Sequence, residues 1–286
     1  MVTARLPLMP LDSIKQRLVG LKMARSLEVI DQLVGRIEQG ELSAIEAIDL
    51  LLAEEYSTRE TRRVRMAMMT ARLSTIKTLE SFDFSFQPSL DRNQILALAG
   101  LGFIERREAV HFLGPPGTGK SHLAIALGYE AIKAGKSVYL ATLAEIITSL
   151  TKAEREGTLA QRIRFLTRTA LLIIDEVGYL PLDKNGANLF FQLVNARYER
   201  GAMILTSNRS FQEWGEIFGD NVVAAALLDR LLHHAVVIQI EGNSYRLKTH
   251  AALMPDNLRA AIAARTEPGR RRPGRPRKED DARPVS

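Results

Sequence analysis

A chain of 286 residues, 46% hydrophobic and 25% charged, is large enough for one sizeable core with a small appended domain and has the make-up of a water-soluble globular protein. It contains no cysteine and no run of 18 apolar residues, and its first 12 positions carry one Arg and one Asp. Disulfides, thiol chemistry, a membrane partner and a secretory signal are therefore not expected, and a cytoplasmic location is. The net charge of +6 is uneven: residues 59–77 carry +5 and residues 265–286 carry +4 around a mildly acidic remainder, which suits either a nucleic-acid partner touched from two sides or a solvated helix face and a solubilising tail.

In chain order, Leu11, Ile14, Leu18 and Leu21, then Leu27, Ile30, Leu33, Val34 and Ile37, recur at helical spacing, and a third helical segment begins after Gly40. Residues 1–57 thus read as a small all-α domain. A basic helix is expected over 58–77, followed by an extended connector to residue 89 that is ended by Pro88. From 90 to 250, the runs AVHFL, SVYLA, ALLIID, AMILTS and AVVIQI alternate with helices. Such β-branched runs, apolar on both faces, specify an α/β fold with a five-stranded parallel sheet covered on both sides. About thirty residues separate the second and third runs, room for two helices, and this insertion holds Lys152, Arg155, Arg162, Arg164 and Arg168. Residues 251–286 offer one short helix and a Pro/Arg/Gly tail, leaving little or nothing for a C-terminal lid.

The chemistry is concentrated in HFLGPPGTGKSHLA, residues 111 to 124. Gly114, Gly119, Lys120 and Ser121 satisfy the P-loop spacing between an expected strand and an expected helix over 121–134. Backbone N–H groups of such a turn converge on phosphate, and the helix N-terminus adds positive charge. The cradle is Gly114, Pro115, Pro116, Gly117, Thr118, Gly119, Lys120 and Ser121, with His122 next to it on the nucleotide side. Binding a triphosphate does not require cutting it, so the strand ends decide. LLIIDE ends in Asp175, which can orient a Mg²⁺ held together with Ser121, and Glu176, which can polarise an attacking water. Asn208 at the end of AMILTSN either holds that water or caps a turn, and Arg230 and Arg246 are either catalytic or paired surface arginines. Phe82, Phe84 and Phe86 alternate as in an edge strand and either cover an adenine or dock the connector. No spaced His/Asp/Glu set suggests a structural metal; His233 and His234 read as helix-end residues.

The segments GPPGTGKSHLA, LLIIDEVGYLP, LTSN, LLDRLLHH and GNSYRLK, in this order, resemble the IstB family of transposition helper ATPases, relatives of the DnaC helicase loaders within the AAA+ class. The likeness runs from about residue 10 to 250. It implies an AAA+ P-loop fold with the sensor strand between the two Walker strands, a Walker A lysine at Lys120 and a Walker B pair at Asp175 and Glu176. It further implies a sensor-1 residue at Asn208, an arginine finger at Arg230 and a sensor-2 arginine at Arg246. The function it implies uses ATP and Mg²⁺: a homo-oligomer assembled on double-stranded DNA that prepares target DNA for, and stimulates, a cognate transposase. A DnaC-like replicative helicase loader is the alternative, because its core would look much the same. For DNA, phosphate contact is expected from Arg59, Arg62, Arg63 and Arg65 and from Lys152, Arg155 and Arg162. In the tail, Arg275 between Gly274 and Pro276 resembles an AT-hook or belongs to a disordered basic segment.

Overall fold

The computed structural model describes residues 10–73 and 75–246. The expected short helix, the question of a lid and Arg275 lie outside these residues. Three helices open the chain: α1 (Pro10–Gly20), α2 (Ala24–Glu38) and α3 (Ala44–Thr70). After a connector, α4 (Arg92–Ala99) and α5 (Gly102–Glu105) lead into β1 (Ala109–Leu113), α6 (Lys120–Lys133), β2 (Val138–Thr142), α7 (Leu143–Arg155), α8 (Leu159–Arg168) and β3 (Leu171–Val177). Then come α9 (Lys184–Arg197), β4 (Ala202–Ser207), α10 (Trp214–Phe218), α11 (Asn221–Leu232) and β5 (Ala235–Gln239).

All five strands pair in parallel, in the order β2-β3-β4-β1-β5. Both faces are covered because strand side chains alternate with period two while every face needs a partner. On β3, Leu171 and Ile173 enter one core with Leu123, Leu127 and Ile132 of α6. Leu172 and Ile174 enter the other with Leu150, Leu166, Phe190 and Trp214. Each of these four β3 side chains is fully buried, which stabilises the sheet by roughly 1.5–3 kcal/mol apiece. The order places β4 between β1 and β3, as the resemblance implies, so the ends of three adjacent strands share one edge. In α/β sheets that carboxyl edge is where ligands bind. The two-helix insertion is α7 and α8, as its length suggests.

Two local expectations are corrected. No separate helix spans 58–77; α3 runs unbroken through residue 57 and stops at Thr70. Ser57 and Thr58 do not end it, because Glu55 and Arg59, one turn apart, pair at 2.7 Å across that point. It ends where Arg72 turns left-handed (φ 63°) and the Leu73 N–H bonds the Met68 carbonyl. Phe82, Phe84 and Phe86 form no edge strand: Phe84–Phe86 is a 3₁₀ turn whose Phe86 N–H is accepted by the Asp83 carboxylate at 3.2 Å. An aspartate before the turn caps it by accepting from its third residue, which strand alternation alone does not reveal.

Candidate nucleotide site

The P-loop leaves β1 and enters α6 through glycines that no other residue replaces. Gly119 precedes the first turn of α6 with φ 98°, and a Cβ there would lie 2.5 Å from the Phe82 ring. Gly117 has φ 82°, and a Cβ there would collide with the Ser244 hydroxyl at 2.0 Å. The loop is thus pressed between the connector on one side and the segment after β5 on the other. The first turn of α6, the positive end of its dipole, borders the cavity.

That cavity has a volume of about 710 Å³ and is lined by the loop from Pro116 to His122 together with Asp175, Glu176, Asn208 and Arg246. Gly114 and Pro115 contribute their carbonyls, which accept from Lys120 Nζ at 2.6 and 2.7 Å. Burial pushes the Lys120 ammonium down to about 8, against the pull of Asp175 and with the push of Arg246. Thr118 is buried and its hydroxyl donates to the Pro115 carbonyl, bracing the loop from inside. His122 lines the cavity, and its Nε2 lies 2.9 Å from the Thr78 carbonyl, so it also fastens the connector. Burial lowers its pKa.

Asp175 stands at the centre of the polar wall. Its Oδ1 accepts from the Ser121 hydroxyl at 2.8 Å and from the Thr206 hydroxyl. Thr206 is the residue that strand-end reading misses, since it sits one place before the segment's more conspicuous Ser207 and Asn208. Its oxygen also accepts from the Glu176 N–H at 3.1 Å. The register explains this contact: Ile174 pairs with Leu205 and Val177 with Ser207, so Asp175 and Glu176 together face Thr206 alone. This is a β-bulge, uncommon in parallel pairs, and bulges re-aim side chains next to functional sites. Glu176 takes φ 60° there, a left-handed conformation that costs a non-glycine residue about 1–3 kcal/mol and is tolerated only where surrounding structure enforces it. The result is an exposed carboxylate beside a half-buried one.

Ser121 and Asp175 offer adjacent hard oxygen ligands, the donor set that Mg²⁺ takes alongside nucleotide phosphates. Further lining comes from the connector through Ile76, Lys77, Phe82 and Gln87, a wall that the sequence reading anticipated only in its phenylalanines. Phe82 lies on the loop and contacts Phe84 at 4.8 Å between ring centres, so docking and covering are not exclusive. Arg230 is not part of this cavity. It lies on α11 with its guanidinium 4.7 Å from the centre of the Tyr198 ring, and Tyr198 OH is 2.6 Å from His233 Nδ1. Glu199, His233 and His234 offer ligand atoms within 4.8 Å of one another, an exposed grouping that their separation in sequence conceals.

The basic residues divide into two kinds. Arg59 donates to Glu55 at 2.7 Å and to the carbonyls of Leu21 and Lys22, and Arg63 donates to Glu60 and to the carbonyls of Ile132 and Lys133 at the end of α6. Arg162 is half-buried, bonded to the Ser149 and Tyr139 hydroxyls and stacked 5.0 Å over Phe165. These three work within the fold. Arg62, Arg65 and Arg155 are exposed, and Lys152 makes only a loose 3.9 Å pair with Glu156. The same letter in one basic run therefore has two jobs, and only packing separates them.

Fold and site together define a P-loop nucleotide-binding domain of the AAA+ class. The model of the IstB-like ATP binding protein family matches residues 16–252, and the chain belongs to that family. It is 47% identical over 228 residues to an insertion sequence IS21 ATP-binding protein of Pseudomonas aeruginosa, covering 80% of this chain and 86% of that one. It is 45% identical over 207 residues to an insertion sequence IS5376 ATP-binding protein of Geobacillus stearothermophilus, covering 72% and 82%. Among solved structures it is similar to DnaI, at 20% identity and a TM-score of 0.49 over 57% of this chain and 90% of that one. It is also similar to the DnaC helicase loader, at 21% identity and a TM-score of 0.44 over 52% and 90%. Among the described residues, no helix is long and apolar enough to cross a membrane.

Proposed function

We propose that the protein is an ATP-hydrolysing, DNA-binding transposition helper that assembles on duplex target DNA, prepares it for a partner transposase and stimulates that enzyme, with hydrolysis regulating the assembly. The observation that carries the hydrolytic part is Glu176, held at strained backbone on the bulge beside Asp175 and across the cavity from the P-loop. A bound Mg²⁺ would neutralise charge developing on the transferred phosphoryl oxygens. Lys120 supplies positive charge to the phosphates, Asp175 and Ser121 present the oxygens that would hold the metal, and Glu176 takes a proton from the attacking water as Asn208 orients it. Arg246 lies in the same cavity, whereas Arg230 lies outside it and would serve a neighbouring subunit's nucleotide.

Family membership supports the transposition role over helicase loading, since the relatives named above are insertion-sequence proteins. The exposed Arg62, Arg65, Lys152 and Arg155 support phosphate contact with DNA. The test separates binding from turnover. Lys120→Ala should abolish binding of a fluorescent ATP analogue, whereas Glu176→Gln should bind it and fail to release phosphate, because the glutamate acts mainly in the chemical step. Equal loss of binding in both would overturn the hydrolytic assignment. Supershift of a labelled duplex by the transposase, present only with this protein and ATP, tests the partner half.

A further inference from the structure

Arg246 enters the nucleotide cavity from helical backbone at 245–246, which follows the irregular residues 240–244 after β5, and among the described residues its guanidinium makes no hydrogen bond or ion pair of its own. Its placement therefore depends on whatever holds the backbone of residues 240–246. The connector does much of this. The Gln87 side chain, buried to 2% exposure, donates from Nε2 to the Asn243 carbonyl at 2.9 Å. The Ser89 hydroxyl donates to the Glu241 carbonyl at 2.7 Å and accepts from the Glu241 N–H at 2.9 Å, so one side chain satisfies both backbone groups of that residue. Phe86 meets Tyr245 edge to face at 5.2 Å. From the other side the Tyr245 N–H bonds the Gly117 carbonyl at 2.9 Å, so the segment is pinned between connector and P-loop.

We propose that Gln87 and Ser89 are positioning residues for the Arg246 guanidinium, and that the connector thereby makes the nucleotide site answerable to the helices that precede it. The proposal rests on the hydrolytic reading of the site given above. Two features extend the link backwards. His122 fastens the connector at Thr78, and Arg63 ties α3 to the carboxyl end of α6, the helix whose amino end is the P-loop. A partner that shifts α3 would thus act on the start of the connector directly and on its Thr78 anchor through α6. The energetic reason is steep distance dependence: a charge aimed at a developing phosphoryl charge loses on the order of 10²-fold in rate for a 1 Å misplacement.

The experiment is a double-mutant cycle on the full chain, reading steady-state ATP turnover with duplex DNA present, kcat and KM separately, and the melting temperature of each variant. Gln87→Ala with Ser89→Ala should lower kcat by roughly tenfold, as a fraction of an ångström of misplacement would. In an Arg246→Ala background the same pair should lower kcat by less than about twofold, because the group being positioned is already gone. Ser89→Thr, which keeps the hydroxyl, should restore kcat when it replaces Ser89→Ala. If the connector pair costs the same factor in both backgrounds, the side chains only stabilise the fold and the proposal is overturned while the reading of Arg246 stands. If Arg246→Ala itself leaves kcat intact, the reading of Arg246 fails and the proposal fails with it.

Discussion

Helix α6, which begins at the P-loop, and helix α3, which precedes the connector, are held in opposite ways. In α6 eight of 14 residues are buried, so its position follows from dry packing of Leu123, Leu127 and Ile132 against the sheet. In α3 only three of 27 are buried, and Ile45 and Tyr56 are 80% and 71% exposed, so apart from Val64, Ala67 and Met68 against the core, packing does little to fix it. Polar links do that instead: Glu55 accepts the Arg25 and Ser26 N–H groups, and Arg59 and Arg63 reach carbonyls of α1's exit and of α6. The lesson is that the nucleotide chemistry sits where shape is over-determined, while the basic surface sits where arginines decide the geometry one bond at a time. Acidification and hydroxyl removal should therefore strike the first region, and salt the second.

The largest effect expected is in the packed region. His111 on β1 is fully buried, with Nε2 3.2 Å from the Leu231 carbonyl and rings of Phe211 and Trp214 beside it, and burial pushes its pKa from 6.5 down to about 4. The folded ring stays neutral while the unfolded one takes a proton below pH 6.5. Stability is therefore complete above that pH and falls as pH drops toward 4, by roughly 3 kcal/mol in all. Urea unfolding at pH 7 and at pH 4.5 should show a smaller pH-dependent loss in His111→Gln than in the parent chain. Equal losses would mean that the packed core does not hold the ring neutral.

Next comes the hydroxyl shared between Asp175 and the Glu176 N–H. Thr206→Val keeps the shape and removes the bonds, so phosphate release should slow by about 10–100-fold, the range typical of partners that orient metal ligands. Binding of a nucleotide analogue should change much less. A comparable loss in both would show that Thr206 supports the whole wall rather than the aim of the two carboxylates.

A smaller effect follows from Lys120. With its ammonium lowered to about 8 in the free protein, ATP-analogue affinity should hold below pH 8 and weaken above it. The limit is tenfold per pH unit as the charge that the phosphates require is lost. Fluorescence titrations between pH 7 and 9.5 read this directly, and a flat profile would place the Lys120 charge beyond the reach of burial.

The smallest and most discriminating effect concerns two arginines of the insertion. Arg155→Ala should flatten a plot of log DNA affinity against log salt by about 0.9 and leave the melting temperature alone, since the side chain is exposed. Arg162→Ala should do the reverse, because its guanidinium bonds Ser149 and Tyr139. If the two variants behaved alike, the division between fold-bound and surface arginines would not hold.

Much of the architecture is legible in the order of residues alone. Five apolar runs became the five strands within about two residues, and the thirty-residue interval became α7 and α8. The P-loop could be read because its working parts are contiguous: backbone N–H groups, glycines and Lys120 act within one turn, so spacing along the chain is spacing in space. Asp175 and Glu176 stood out as the acidic close of an apolar run, although β3 carries them on its bulge and ends only at Val177. The boundary of α3 was not legible: a break was expected at residue 57, and only the Glu55–Arg59 pair shows that the helix runs through it.

What the sequence alone determined, then, is the P-loop, the parallel sheet and the place of the acid pair along the chain, all of which depend on neighbours in the chain or on short periodicity. What only the tertiary structure decided is which residues meet across it. Thr206 reaches Asp175 because β3 and β4 lie side by side with a bulge, 31 residues apart in sequence; Gln87 reaches Asn243 from 156 residues away. Arg59, Arg63 and Arg162 bond groups of their own fold while Arg62, Arg65 and Arg155 are left at the surface for the same reason. A guanidinium carries the same charge wherever it stands, and whether it bonds a carbonyl of its own chain or is left for a phosphate depends on which backbone the fold brings within 3 Å of it.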